Sequence, residues 1–107
     1  MITWVEAQAA LEAARAAEAT YDGAVWWPAF HAAGSGGPAI AGDIDAESER
    51  RTDARCAAED ALIATPAPDL PAAIWKIEYA RKRWEDFDDW PATWWAAVMG
   101  DLRRLAA

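Results

Sequence analysis

The stretch "TPAPDLPAAIWKIEYARKRW", Thr65 to Trp84, decides how this chain folds. Residues that precede proline avoid the helical region, so the chain must turn ahead of Asp69. Asp69 then stands where its carboxylate can accept the free amide hydrogens of a new helix. Pro71 suits the first turn, because its missing N–H has no partner to lose. Leu70, Ile74, Ile77 and Trp84 recur at helical spacing, with Trp75 and Tyr79 on an adjoining stripe, which predicts a helix over about 70–87. Glu78 with Lys82, Arg81 with Glu85, and Lys82 with Asp86 are spaced to pair on its outer side.

Towards the C-terminus, "WEDFDDWPATWW" (84–95) sets four tryptophans and four carboxylates within twelve residues. Its economical reading is a helix–turn–helix corner in which Asp88 or Asp89 ends one helix and caps the next. That next helix is predicted over about 91–105, with Trp94, Trp95, Val98, Met99, Leu102 and Leu105 as its apolar face. Arg103 and Arg104 complement the dipole at its end.

Towards the N-terminus, a charged run without Gly or Pro predicts a helix over about 44–65, its stripe formed by Ile44, Arg51, Ala54, Ala58, Ala61, Leu62 and Thr65. Glu47–Arg51 and Arg55–Glu59 are i,i+4 pairs and imply a solvated face. Before it, "VWWPAFHAAGSGGPAIAGD" predicts a short helix near 28–33 and a flexible Gly-rich loop at 34–42. The first helix is predicted over about 4–22. Thr3 and Glu6 have capping-box spacing, Trp4, Ala7, Leu11, Ala14, Ala17 and Tyr21 form its stripe, and Asp22-Gly23 is its expected stop. No segment alternates with strand period. The expectation is an all-α, single-domain antiparallel bundle of four main helices and one short one, joined by short links.

"ATPAPDLPAAIWKIEYA" (64–80), with "DARCAAEDALI" (53–63), "WWAAVMGDLRRLA" (94–106) and "YDGAVWWPAF" (21–30), resembles small helical proteins encoded by alphaproteobacterial chromosomes and prophages. The resemblance covers about three quarters of the chain, and its most specific part is the TPAPD-plus-helix stretch. No activity or site residues come with it. It implies a cytoplasmic, phage-borne accessory protein.

Composition narrows the function. Leu, Ile, Val and Phe number 16 of 107 residues, a scarcity that in a chain of net charge −8 signals disorder unless other groups supply a core. Eight Trp do so, each able to bury about 150–250 Å². Twenty-nine Ala leave room for them, so indoles packed against methyl groups are the predicted core. Eighteen acidic against ten basic residues disfavour nucleic-acid phosphates and anionic membranes as direct partners and favour a basic protein. One cysteine, Cys56, excludes an internal disulfide and suggests a reducing compartment. The N-terminal stretch lacks a basic region before an apolar run and reads as mature structure, so the expected address is the cytoplasm.

Catalysis finds no constellation. His31 and Cys56 lack a third orienting group, "GSGG" (34–37) lacks the Lys of a phosphate loop, and Glu85, Asp86, Asp88 and Asp89 lack calcium-loop spacing. No enzyme activity, metal or cofactor is therefore expected. Trp4, Trp84 and at least one of Trp94 and Trp95 fall on apolar stripes and should be buried. The spacing leaves Trp26, Trp27, Trp75 and Trp90 less determined. Together with Glu85, Asp86, Asp88 and Asp89 they form the candidate interaction surface, where an indole beside carboxylates suits capture of Lys or Arg. Adjacent residues on a helix point different ways, so one of Trp26 and Trp27 is a candidate surface anchor, the alternative being that both pack over the open end of the bundle. The expected function is an acidic protein–protein interaction module, in its specific form a phage-encoded modulator or inhibitor covering a basic, nucleic-acid-binding surface of a host protein. The alternatives are a homo-oligomeric structural or accessory protein, in which a homodimer hides the same indoles, and a small-molecule binder with a Trp/Ala-lined pocket.

Overall fold

A computed structural model describes residues 2–107. The described chain is all-α: α1 (Trp4–Tyr21), a π-helical segment (Asp22–Trp26), α2 (Trp27–Gly34), α3 (Gly42–Ala64), α4 (Leu70–Arg83) and α5 (Ala92–Ala106). No strand occurs among the described residues. The chain resolves into two compact units, one comprising Met1–Gln8 with Asp60–Ala107 and the other Ala9–Glu59.

Side-chain caps explain where α1 and α4 begin. Thr3 Oγ1 accepts the Glu6 N–H at 3.1 Å at the start of α1, and Asp69 Oδ1 accepts the Ala72 N–H at 3.0 Å at the start of α4. Both are the caps their spacing predicts. α5 differs: Pro91 occupies the cap position with no side-chain bond, and Asp89 accepts the N–H of neighbouring Trp90 at 2.7 Å instead. α4 ends at Arg83, short of the expected 87, with turns over residues 84–86. The carbonyl of Trp84 accepts the Phe87 N–H at 3.0 Å and closes the chain round.

Asp22-Gly23 does not stop the first helix. The backbone widens into the π turn and continues as α2, so the short helix begins at Trp27 and is continuous with what precedes it. The stop comes at Gly34. The Gly37 N–H bonds the Ala32 carbonyl at 2.8 Å and the Gly36 N–H the Ala33 carbonyl at 3.4 Å, with Gly36 at φ 87°, which is a Schellman ending. The irregular loop is therefore 35–41, since Gly34 closes α2 and Gly42 opens α3. Gly36→Ala is expected to cost about 1–2 kcal/mol, because a Cβ is disfavoured at that φ. Urea denaturation followed by circular dichroism measures it.

In the unit containing the C-terminal half, α4 and α5 run antiparallel: Trp84 meets Trp94 at one end and Lys76 meets Asp101 further along. Its core has two parts. Ile63, Ala80 and Trp94 are buried, with Tyr79, Trp84, Trp90 and Ala97 against them. Ala67, Ala72 and Ala73 are buried beneath Trp4, Leu102 and Leu105. Large rings on methyl-sized neighbours are the packing that the composition predicts.

The register of α4 departs from expectation. Leu70 and Ile74 are exposed, at 53% and 46%, and Ala72, Ala73, Lys76 and Ala80 face inward. Lys76 is fully buried, and its three ammonium hydrogens meet three acceptors: the Ile63 carbonyl at 2.7 Å, the Thr65 carbonyl at 2.6 Å and Asp101 Oδ2 at 2.7 Å. Asp101 Oδ1 accepts the Ala67 N–H at 3.1 Å. The lysine thus satisfies carbonyls that α3 leaves open at its C-terminus, in the turn where prolines supply no amide.

In the unit Ala9–Glu59 polar groups join α1 to α3. Glu18 and Glu59 flank Arg55, at 3.1 and 2.9 Å. Glu59 is 2% exposed, so the Arg55–Glu59 pair lies inside rather than on the solvated face expected for it. On α3, Ala54 and Ala61 are exposed, whereas Glu59, Leu62 and Ile63 are buried, which shifts the expected stripe. Burial disfavours the Arg55 charge, yet bonds to Glu18 and Glu59 outweigh it and raise its pKa, so it stays ionised. Arg51 Nη1 donates to the Ala17 carbonyl and its guanidinium lies 4.9 Å from the Tyr21 ring centre. These pairings run α1 and α3 antiparallel within the unit.

Candidate functional site

In the unit Ala9–Glu59 the π-helical segment and the start of α3 enclose an open cleft of about 600 Å³. It is lined by Trp26, by the carboxylates Asp45, Glu49 and Asp53, and by the small residues Gly42, Ala46, Ser48 and Thr52. Asp45, Glu49 and Asp53 are four residues apart, which places them on one face of α3 about 6 Å apart along its axis. All three are exposed. Among the described residues no three His, Cys, Asp or Glu side chains are grouped to hold a metal ion, so these acids form a row and do not converge on one point.

Two bonds fix the cleft's wall. Trp26 Nε1 donates to Asp45 Oδ1 at 3.0 Å, and Ser48 Oγ donates to Asp22 Oδ1 at 3.0 Å. Each joins the π segment to α3. A π turn costs hydrogen-bond geometry and recurs at functional sites, and here it carries the indole that lines the cleft. Behind the row, Glu47 binds Arg50 and Arg51. The Arg50 bond, then the Arg51 bond, hold its carboxyl below the ordinary 4.5. The stability this contributes is present above pH 4.5 and is lost as the pH falls through the lowered value.

Beside Trp26 lies an aromatic cluster on α2. Trp26 and Trp27 meet edge to face at 4.9 Å, Trp26 stacks on Phe30 at 5.1 Å, and Trp27 meets Phe30 edge-on at 5.6 Å. The adjacent indoles therefore share one cluster, although their helical positions differ. Trp27 is 47% and Phe30 46% exposed. His31 is also exposed and lies against both rings, while Cys56 is half-buried.

The remaining sequence-derived candidates belong to the other unit. Trp75 is half-buried, stacked on Tyr79 at 5.0 Å and edge-on to Trp4 at 5.7 Å, which makes it packing more than surface. Trp90 is half-buried against Trp95 at 5.8 Å. Of the two adjacent indoles on α5, Trp94 is buried and Trp95 is 55% exposed. Glu85, Asp86, Asp88 and Asp89 are all exposed in the turn after α4, and Glu85 pairs with Lys82 at 3.2 Å. A further open depression of about 230 Å³ is lined by Trp4, Gln8, Trp75, Ala72, Asp69, Pro68 and Pro71, smaller than the roughly 300–1,000 Å³ usual for ligand pockets.

The sequence singles out Trp26 and Trp27 but not their acidic neighbours Asp45, Glu49 and Asp53. The four-residue repeat was legible, since i,i+4,i+8 carboxylates on a predicted helix share a face. What was hidden is the turn that folds Trp26 back onto that face. Among the described residues no helix is long and apolar enough to cross a membrane. The chain matches no protein-family model, and comparisons with curated proteins and with solved structures return no significant match.

Proposed function

We propose that this chain is an acidic protein–protein interaction module that binds a basic surface of a partner protein. The observation that carries the reading is the cleft of the unit Ala9–Glu59, where three exposed carboxylates in a row open beside a cluster of half-exposed aromatic rings. Aromatic anchors supply affinity at interfaces, and surface charge of one sign selects and steers a partner of the other. The net charge of −8 acts in the same direction. A surface that attracts Lys and Arg competes with nucleic acid for the same partner groups, which suits a modulator of a nucleic-acid-binding protein.

Affinity capture with the full chain and with the Asp45→Asn/Glu49→Gln/Asp53→Asn variant as baits tests this. Basic proteins are expected on the wild-type bait at moderate salt and to fall by about tenfold or more on the variant. Identical retention by both baits would remove the reading.

A second reading has one specific support. Leu70 and Ile74 are exposed four residues apart on α4 and offer an apolar stripe for a second copy. Sedimentation showing a monomer at high micromolar concentration eliminates it.

A further inference from the structure

Trp27 and Phe30 give α2 an aromatic face that nothing in its own unit covers: they are 47% and 46% exposed, yet their rings are braced against each other and against Trp26. Bracing lowers the entropy lost when a partner lands on such rings. Through Trp26 the face is continuous with the row Asp45, Glu49 and Asp53. The occupant must therefore present an apolar group beside a line of positive charges about 6 Å apart.

We propose that this face docks a basic amphipathic helix of a partner protein, with Lys or Arg at i, i+4 and i+8 opposite Asp45, Glu49 and Asp53 and a large apolar residue against Trp27 and Phe30. The proposal rests on the reading above and adds the form of the partner. Charge complementarity selects a basic occupant. A helix is selected by pitch: its side chains recur on one face at the same four-residue interval as the carboxylates of α3, so three contacts stay in register. Small residues at Gly42, Ala46, Ser48 and Thr52 floor the cleft, which lets a helix approach at ordinary packing distance. An extended segment presents alternate side chains about 6.6 Å apart and drifts by about 1 Å against the carboxylates along the row.

The test uses the full chain and three synthetic 16-residue peptides of equal length and charge. One carries Lys every fourth residue and a Leu on the same face, one has the same composition with the Lys scattered round the helix, and one is held extended by prolines. Calorimetric titration is expected to give the patterned peptide an affinity about tenfold or more above both controls. Trp27→Ala, at an exposed position and checked for native circular dichroism, is expected to weaken the patterned peptide by about tenfold or more. Equal affinity for the scattered or extended peptide overturns the helical occupant and leaves the broader acidic-module reading standing. Absence of binding by all three overturns both. An unchanged affinity in Trp27→Ala overturns the aromatic anchor and with it this proposal.

Discussion

Lys76→Met is expected to lower stability by about 3–5 kcal/mol, the usual cost of removing one partner from a buried ion pair. Methionine preserves most of the volume, so the loss is one of partners. The Ile63 and Thr65 carbonyls lose the hydrogen bonds of the lysine, at 2.7 and 2.6 Å, and Asp101 keeps a buried charge with less to neutralise it. Chemical denaturation monitored at 222 nm measures the change. Against a typical total of about 5–15 kcal/mol, the variant sits close to the threshold of folding. Lys76→Met/Asp101→Leu separates charge from hydrogen bonding. It is expected to recover only part of the loss, because the two carbonyls and the Ala67 N–H remain without these partners. A loss below about 1 kcal/mol in the single variant would contradict the assigned role.

Trp94→Ala is expected to cost a similar amount, about 3–5 kcal/mol, from the cavity it leaves. The indole is 2% exposed, packs with Ile63 and Ala80, and lies 5.3 Å from the Trp84 ring and 6.2 Å from the Tyr79 ring. Its Nε1 donates to Asp60 Oδ1 at 2.8 Å. Trp94→Phe retains a ring and frees an exposed carboxylate that water can solvate, so its cost is expected near 1–2 kcal/mol. The adjacent Trp95→Ala serves as control. That ring is 55% exposed and touches Trp90 at its edge, so less than about 1 kcal/mol is expected. Equal losses at 94 and 95 would mean that Trp94 is not the filler of this core.

These residues also show how far the sequence could be read. Helix identity and most boundaries were legible because Thr3, Asp69 and the glycines after Ala33 leave chemical signatures at helix ends. The α4 register departs from the apolar spacing because hydrophobicity assigns Leu70 and Ile74 inward and gives Lys76 no place, whereas the packing needs small residues beneath the rings. A signal for the pair existed. Asp101 lies between Val98 and Leu105 on the stripe of Trp94, and Lys76 lies between Ala73 and Ala80 at steps of three and four. An opposite charge in the middle of each of two otherwise apolar stripes points to a buried bond. The acidic cleft was only half legible: the spacing of its carboxylates is in the sequence, but the π turn that brings Trp26 to them has no pattern of its own.

The aromatic edge is sensitive to a kind of change that side-chain replacement does not reproduce. A π turn absorbs one surplus amino acid without turning the helix beyond it, so deleting Gly23 or Ala24 would let the segment anneal with α2 aimed as before, whereas a deletion within the regular α1 would swing everything downstream by about 100°. Asp22 and Trp26 would then part company with Ser48 and Asp45, and the rings of α2 would be re-aimed with every one of them still present. Insertions and deletions, more than point substitutions, are thus the mutations by which lineages carrying this chain would redirect what it can grasp.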